Sequence, residues 1–209
     1  MKKEKLGIYG GTFSPIHNGH VKAALAFLDT LCLDKLLVIP ADIPPHKPQV
    51  AGATTADRLK MTHLAFEDTD AYKSGRLEVC DYEIRRGGKS YTVYTLEHFA
   101  APERELYLLV GTDAFLKLDE WFCAQRIMEL ANIVLMRREK DDGNTGILLS
   151  RADEYREKFS ARVYTLDDEP IVVSSSEIRA YIYDGKPCPT EVSPKVREYI
   201  KNNGLYKEI

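Results

Sequence analysis

Six short apolar runs alternate with segments in which apolar residues recur at helical spacing. The runs are rich in Leu, Ile, Val and aromatic residues and cover 6–9, 36–39, 77–80, 106–110, 133–136 and 163–166. The helical patterns cover 21–33, 56–66, 93–99, 124–130 and 152–159. This alternation is typical of βαβ units, and continuous apolar strands are typical of a sheet covered on both faces. The pattern therefore predicts a Rossmann-like, doubly wound α/β fold with a mostly parallel sheet.

Two further helices are predicted near the end of the sequence. Residues 174–176 are all serine and precede Glu177, as is typical of a helix N-terminus. A final helix is predicted over about 194–202, with proline at its start and Gly204 just past its end. With 209 residues and 44% apolar residues, we expect one domain over 1–209, with a C-terminal helical segment, 172–209, packed on it.

Composition narrows the choice of partners and compartment. The formal net charge is −3, which argues against a broad nucleic-acid-binding surface. The four cysteines are scattered with no C-x-x-C pair, so neither a zinc cluster nor a disulfide framework is indicated. Neither a signal peptide nor a membrane span is recognisable in the sequence. We therefore expect a soluble cytoplasmic protein that contacts neither nucleic acid nor membrane.

The turn between the first strand and the first helix reads GGTFSPIHNGH, from Gly10 to His20. Paired glycines let a backbone approach a bulky anion, and the N–H groups at a helix start point at it. His17 and His20 fall on one side of that start, where imidazoles donate to phosphate oxygens. They could instead ligate zinc or be solvated histidines, but neither an H-E-x-x-H motif nor a paired cysteine accompanies them. Phosphate binding is the favoured interpretation.

Later loops are expected at the same edge of the sheet, because ligands bind beyond the carboxyl ends of parallel strands. Prolines at 44–45 stiffen the loop that carries Lys47, a point charge suited to phosphate unless it is an ordinary surface lysine. The start of the next predicted helix has two interpretations, which concern Ser175, Ser176 and Arg179. Either the serines cap the helix and the arginine is solvated on its surface, or the three residues form a second anion site.

Two further features have both a structural and a functional interpretation. Trp121 is the only tryptophan, and it either packs in the core or stacks on a flat heterocycle. Residues 81–92 form either a plain basic loop with a glycine turn or a loop for a second substrate. A P-loop, a G-x-G-x-x-G turn and a G-x-S-x-G elbow are all absent from the sequence, which argues against the common ATPases, dehydrogenases and hydrolases.

These segments together resemble the nucleotidyltransferase superfamily with an H-x-G-H signature, and within it the bacterial nicotinate-nucleotide adenylyltransferases. The resemblance rests on GGTFSPIHNGH, IPADIPPHK, DYEIRRGGKSYTVYTL, LVGTDAFLKLDEW, VSSSEIR and VREYIKNNGLY, in that order. It implies transfer of AMP from ATP to nicotinate mononucleotide, with Mg²⁺ carried mainly by phosphates and water. A related transferase, such as a pantetheine-phosphate enzyme or one that prefers nicotinamide mononucleotide, stays open. So does a non-catalytic nucleotide-binding module.

The resemblance also implies roles for individual residues. The catalytic groups are His17, His20, Lys47 and Arg179. ATP contacts fall to Gly10, Gly11, Thr12, Phe13, Gly111, Asp113, Ser175 and Ser176. The mononucleotide contacts are Lys47, Thr92 and Trp121, and no side chain is expected to ligate a metal. Ser14 stands where the family usually has aspartate, and Ser176 where it usually has threonine. Self-association into a homo-oligomer stays open.

Overall fold

The computed structural model describes residues 2–45, 52–137, 145–166 and 174–207. The strands within these ranges are β1 (Glu4–Gly11), β2 (Lys35–Pro40), β3 (Leu77–Val79), β4 (Arg104–Gly111), β5 (Ala131–Met136) and β6 (Val163–Leu166). The helices are α1 (Asn18–Thr30), α2 (Thr55–Phe66), α3 (Asp70–Lys73), α4 (Tyr82–Arg86), α5 (Thr92–Phe99), α6 (Thr112–Leu116), α7 (Ala124–Leu130), α8 (Thr145–Phe159), α9 (Ser175–Tyr183) and α10 (Pro194–Asn202). A 3₁₀ turn covers Leu118–Glu120.

The strands form one sheet in the order β3-β2-β1-β4-β5-β6, and every neighbouring pair of described strands is parallel. The predicted parallel α/β fold is confirmed. The strand order reverses between β1 and β4, whose pairing ends at Ile8 and Leu108. Beyond that point β1 stays with β2 as far as Gly11, and β4 stays with β5 as far as Gly111. The two central strands therefore separate at their carboxyl ends and open a crevice there.

An apolar layer covers each face of the sheet. Side chains of α1, α2, α9 and α10 pack on one face, around Phe27, Met61 and Ile178. Side chains of α5, α6, α7 and α8 pack on the other, around Leu96 and Phe115. Burial on both faces explains why the strands read as continuous apolar runs rather than as alternating ones.

The C-terminal helices contribute directly to the first of these layers. Val196, Ile200 and Tyr206 are buried in the same cluster as α1 and α2. The hydroxyl of Tyr199 donates a hydrogen bond of 2.9 Å to the carboxylate of Asp57, near the start of α2. The described part of the C-terminal segment thus packs over α2, close to the turn that follows β1.

Several short helices escaped the sequence pattern. Helices α3, α4 and α6 contain only four or five residues, too few for a 3.6-residue period to be recognised. Helix α4 lies within the segment 81–92 that was expected to be a loop. Helix α8 begins at Thr145 rather than at 152. In the part of the chain that the structure describes, no helix is long and apolar enough to cross a bilayer.

Candidate active site

The two histidines of the first turn lie against each other at the start of α1. His17 is the N-cap residue and is 6% exposed, whereas His20 is third in the helix and partly exposed. Their ring centroids are 3.7 Å apart, and the backbone N–H of His17 donates to Nδ1 of His20 at 3.2 Å. Because Nδ1 of His20 accepts, a neutral ring carries its proton on Nε2. That tautomer presents the donor which a phosphate oxygen requires.

The start of α1 is less open to an anion than the sequence suggested. The N–H of Asn18 donates to the carbonyl of Glu191 at 2.7 Å, and its side-chain amide donates to the carbonyl of Thr190 at 3.4 Å. The expectation that this N–H points at a ligand is therefore wrong. Asn18 instead attaches the C-terminal segment to the first turn.

The paired glycines of the turn have different neighbours. A Cβ on Gly11 would lie 2.7 Å from the ring of Phe13, whereas a Cβ on Gly10 would meet no protein atom within 4 Å. Phe13 is 3% exposed, has a φ of 48°, and packs edge-on against the rings of Tyr9 and His20 at 5.4 and 5.2 Å. Gly11 thus leaves room for a ring buried beneath the turn. Gly10 leaves the outer face open to a ligand.

The start of α9 is bonded directly to the first turn. The hydroxyl of Ser175 donates to the carbonyl of Pro15 at 2.9 Å. The guanidinium of Arg179 donates to the carbonyl of Ser14 at 2.7 Å and to the hydroxyl of Ser176 at 3.1 Å. The structure therefore brings the two predicted anion sites side by side.

The helix cap of α9 is a different serine from those singled out in the sequence. Ser174 is the N-cap residue, and its Oγ accepts from the N–H of Glu177 at 3.1 Å. The Glu177 carboxylate accepts in return from the N–H of Ser174 at 3.1 Å. Capping by Ser175 or Ser176 is therefore wrong, because Ser174 already satisfies the helix end. Their hydroxyls serve the contacts with the first turn and with Arg179 instead.

The opposite side of the crevice is formed by the end of β4 and by α6. Gly111 is both the last residue of β4 and the N-cap of α6, and Asp113 is exposed in the first turn of that helix. Arg151 of α8 fixes the other end of α6, donating twice to the carbonyl of Leu116 at 3.1 and 3.2 Å. Arg151 was missed in the sequence, since nothing in its neighbourhood marks it.

Thr92 and Trp121 lie on neighbouring segments. Thr92 is the first residue of α5, and Trp121 directly follows the 3₁₀ turn and is half-buried against the second apolar layer. Their sequence neighbours Tyr91 and Phe122 are in ring contact, with centroids 4.7 Å apart. A half-buried ring can both pack and stack, so Trp121 keeps both interpretations.

The loop after β2 forms a wall with the end of segment 81–92. Lys47 itself lies outside the described residues. Before it, the N–H of Ser90 donates to the carbonyl of Ile43 at 2.8 Å. The Asp42 carboxylate accepts from the N–H of Gly88 at 2.9 Å, and the Asp42 N–H donates to the hydroxyl of Ser90 at the same distance. Asp42 and Ile43 are thus attached to Gly88 and Ser90.

A buried carboxyl lies behind this wall. Glu83 is 5% exposed, and the hydroxyl of Thr95 donates to it at 2.6 Å. Burial raises the pKa of Glu83, although hydrogen bonds from Thr95 and Ser90 oppose the shift. The sequence carried no signal for this residue, which reads as one more charge in a polar segment.

A buried arginine, Arg58 of α2, is a third residue that sequence reasoning missed, after Arg151 and Glu83. It is 4% exposed, and burial lowers the pKa of its guanidinium. A signal was present, since Arg58, Met61 and Ala65 fall on one helix face at spacings of three and four. An arginine on the apolar face of a helix has to find buried partners.

Metal ligation is the other role that the sequence left open for His17 and His20. Within the described ranges, no group of three or more His, Cys, Asp or Glu side chains could hold an ion.

Comparison with known proteins identifies the family to which this chain is related. The sequence model of the cytidylyltransferase-like family matches residues 8–181. A Caldicellulosiruptor saccharolyticus protein named "probable nicotinate-nucleotide adenylyltransferase" is 35% identical over 204 residues, covering 98% of this chain and all of the relative. A Clostridium tetani protein of the same name is 36% identical over 209 residues, covering 99% of this chain and 100% of the relative.

Two solved structures share the fold. Both are Plasmodium falciparum nicotinic acid mononucleotide adenylyltransferase, one complexed with APC and the other with NaAD. Their TM-scores are 0.75 and 0.74, at 16% and 15% identity, and each match covers 98% of both chains. The family model matches residues 8–181, and the two bacterial relatives are 35% and 36% identical over 98% and 99% of the chain. The chain therefore belongs to the cytidylyltransferase-like family and, within it, to the nicotinate-nucleotide adenylyltransferases.

Proposed function

We propose that this chain transfers AMP from ATP to nicotinate mononucleotide, giving nicotinate adenine dinucleotide and pyrophosphate. The observation that carries the proposal is the direct bonding of the start of α9 to the histidine turn, through Ser175 to Pro15 and Arg179 to Ser14. This bonding brings the two candidate phosphate-binding groups next to each other, which supports binding of a triphosphate. The relatives named for this activity match the chain over its full length.

The proposed chemistry needs alignment rather than a protein nucleophile. A phosphate oxygen of the mononucleotide is already anionic and attacks the α-phosphorus in line, breaking its bond to the pyrophosphate oxygen. His20 donates from Nε2 to a phosphate oxygen and stabilises the charge that develops there. Arg179 offsets the charge on the departing pyrophosphate, and Lys47 is proposed to bind phosphate from the loop after β2.

The mononucleotide is proposed to bind between α5 and the segment after the 3₁₀ turn. Thr92 begins an eight-residue helix, whose N-terminus favours a negative group such as the nicotinate carboxylate. Trp121 would stack on the pyridine ring. A neutral amide in place of that carboxylate gains less from the helix start. We therefore expect a preference for nicotinate over nicotinamide mononucleotide.

Mg²⁺ is proposed to arrive with the nucleotide. The ion usually keeps several waters and binds substrate phosphates in preference to an all-protein cage. The hydroxyl of Ser14, where a carboxylate would have offered a ligand, lies 3.1 Å from the hydroxyl of Tyr206. The ion would neutralise phosphate charge. Among the described residues, His17, His20 and Arg179 would then serve the phosphates themselves.

A paired-substrate assay tests the proposal. Purified protein with ATP and Mg²⁺ is given nicotinate or nicotinamide mononucleotide, and pyrophosphate release and the dinucleotide product are measured. We expect turnover with both and a higher kcat/KM with nicotinate. Absence of turnover with either mononucleotide would refute the transferase, whereas a reversed preference would refute only the choice of substrate. The cytoplasmic location stays a prediction from the sequence, and self-association stays open.

A further inference from the structure

The side chain of Arg58 is buried between the turn after β1 and the loop after β2. The family resemblance assigns residues of the turn to ATP, and it assigns Lys47 of the loop to the mononucleotide. Its Nη1 donates to the carbonyl of Thr12 at 2.9 Å and to that of Ala41 at 2.6 Å. Its Nη2 donates to the carbonyl of Asp42 at 2.9 Å and to the hydroxyl of Thr55 at 3.1 Å. Thr12 lies in the turn after β1, and the other two carbonyls lie directly after β2. One buried guanidinium therefore donates hydrogen bonds to both loops.

The partners of Arg58 are neutral oxygens rather than a carboxylate. The nearby Asp42 carboxylate is engaged by the N–H of Gly88 at 2.9 Å and by the hydroxyl of Thr55 at 3.3 Å. Taking a cation out of water is costly, and four directed hydrogen bonds to fixed groups compensate for it. The loops must hold their spacing for these bonds to persist.

That spacing matters for a reaction between two bound anions. The turn after β1 carries His17 and His20, and the loop after β2 leads towards Lys47 and is bonded to residues 88–90. In-line transfer requires the reacting atoms to be held near 3–3.5 Å, so a shift of about 1 Å is felt in the rate. A group that bonds to both loops controls this separation without touching either substrate.

We propose that Arg58 is a positioning residue, which holds the turn after β1 and the loop after β2 at the separation that AMP transfer requires. This inference rests on the proposed function. It predicts a loss in kcat rather than in affinity, because each half of the site keeps its own binding groups. It also predicts that the planar shape of the guanidinium matters more for the transfer rate than its charge does. The ammonium of a lysine has no fixed arrangement of donors with which to bond to three carbonyls at once.

The experiment compares Arg58→Lys, which keeps the charge, with Arg58→Gln, which removes it. We expect single-turnover AMP transfer to fall at least tenfold in both variants, with KM for each substrate within about threefold of wild type. The matched control is Arg104→Lys. Arg104 is the first residue of β4, at the end of the strand opposite the crevice. Its guanidinium donates to the carboxylate of Glu4 at 2.9 Å and to the carbonyl of Phe99 at 3.3 Å. We expect its transfer rate to be unchanged.

Three outcomes of this kinetic experiment would overturn the inference. One is a wild-type rate in folded Arg58→Lys, which would make the charge sufficient. Another is a loss expressed only as raised KM, which would make Arg58 a binding group. The third is a loss that disappears when rates are corrected for the folded fraction, measured by urea unfolding, which would make Arg58 merely stabilising.

Amide hydrogen exchange gives a readout that is independent of activity. In Arg58→Lys, the amides near Thr12 and Asp42 should exchange faster than in wild type, while those of β4 should not change. Unchanged exchange in both loops would refute the coupling even if transfer slows. An inactive wild type would refute the proposed function instead, and faster exchange would still support the link between the loops.

Discussion

The hydroxyl of Tyr206 lies 3.1 Å from Oγ of Ser14, a contact that spans 192 positions of the chain. Both residues are buried, at 1% and 2% exposure, and burial raises the pKa of Tyr206 to about 12. The N–H of Tyr206 also donates to the carbonyl of Gly52 at 3.1 Å. The C-terminal segment is therefore attached beneath the turn that carries the histidines. Ser14, where the family resemblance led us to expect a carboxylate, has a structural partner.

Removing this contact tests its contribution to stability. We expect Tyr206→Phe to lower the free energy of unfolding by about 0.5–1.5 kcal/mol, the usual net value of a buried hydrogen bond. Ser14→Ala should have a similar effect, measured by urea denaturation. Because both substitutions remove the same bond, the double variant should lose less than the sum of the two. Strict additivity would show that the two hydroxyls are not coupled.

Substituting the paired glycines separates packing from ligand approach. We expect Gly11→Ala to lose about 1–3 kcal/mol of stability, because its methyl overlaps the ring of Phe13. Gly10→Ala should keep wild-type stability within about 1 kcal/mol, because an added Cβ meets no protein atom within 4 Å. If the nucleotide approaches this open face, the methyl should raise KM for ATP by about tenfold. Urea unfolding and steady-state kinetics measure the two effects. Equal KM values for Gly10→Ala and wild type would place the nucleotide elsewhere.

The donor role of His20 predicts a kinetic loss. We expect His20→Ala to slow single-turnover transfer by about 10²-fold or more, as does the removal of a preorganised donor to the transition state. His98→Ala is the matched control, since His98 is exposed and stacks on Tyr82 with ring centroids 4.0 Å apart. A near-normal rate in His20→Ala would make the histidine structural.

The buried carboxyl of Glu83 predicts a dependence of stability on pH. Burial raises its pKa above the ordinary 4.5, so the folded state binds the proton more tightly than the unfolded state. The stability that this group contributes is complete below pH 4.5 and is lost as pH rises through the raised pKa.

Glu83→Gln removes this titration while keeping an oxygen for the hydroxyl of Thr95. Between about pH 4 and about pH 7, the stability of wild type should therefore fall relative to that of Glu83→Gln in urea unfolding. The exposed Glu103→Gln serves as the control, and its profile should follow that of wild type. Parallel profiles for wild type and Glu83→Gln would show that Glu83 does not titrate as proposed.

Replacing Trp121 decides between its two interpretations. Trp121→Leu keeps apolar bulk in the half-buried position but removes the flat ring. If the ring stacks on the pyridine, KM for nicotinate mononucleotide should rise by up to about tenfold, with KM for ATP unchanged. A wild-type KM for the mononucleotide, together with a lower melting temperature, would assign Trp121 to the core alone.

The order of elements, and the edge of the sheet at which the candidate site residues lie, were predictable from local properties. Apolar runs and helical periods are carried by neighbouring residues, and the carboxyl ends of parallel strands must share one edge. The strands from β1 to β6 were recognised on that basis, and the turn from Gly10 to His20 stands where expected. The short helices α4 and α6 were missed because one turn of helix gives no periodic signal.

The polar contacts between distant parts of the chain could not be read from the sequence. The links from Tyr206 to Ser14, Asn18 to Glu191 and Arg58 to Thr12 join residues far apart in the chain, and neither partner marks the other. The choice of Ser174 as the cap of α9 depended on where that helix meets the first turn. Such polar contacts follow from which loops burial brings together, since a buried donor takes whichever acceptor the packed chain presents.

The sequence by itself determined the parallel α/β architecture and the family, and it singled out the first turn as the candidate phosphate site, because each depends on residue type and local spacing. Only the tertiary structure decided that α9 bonds to that turn, that the C-terminal segment supports it, and that Arg58 joins it to the loop after β2. The reason is geometric: a hydrogen bond is effective only within a few tenths of an ångström, and only the packed chain sets distances at that scale.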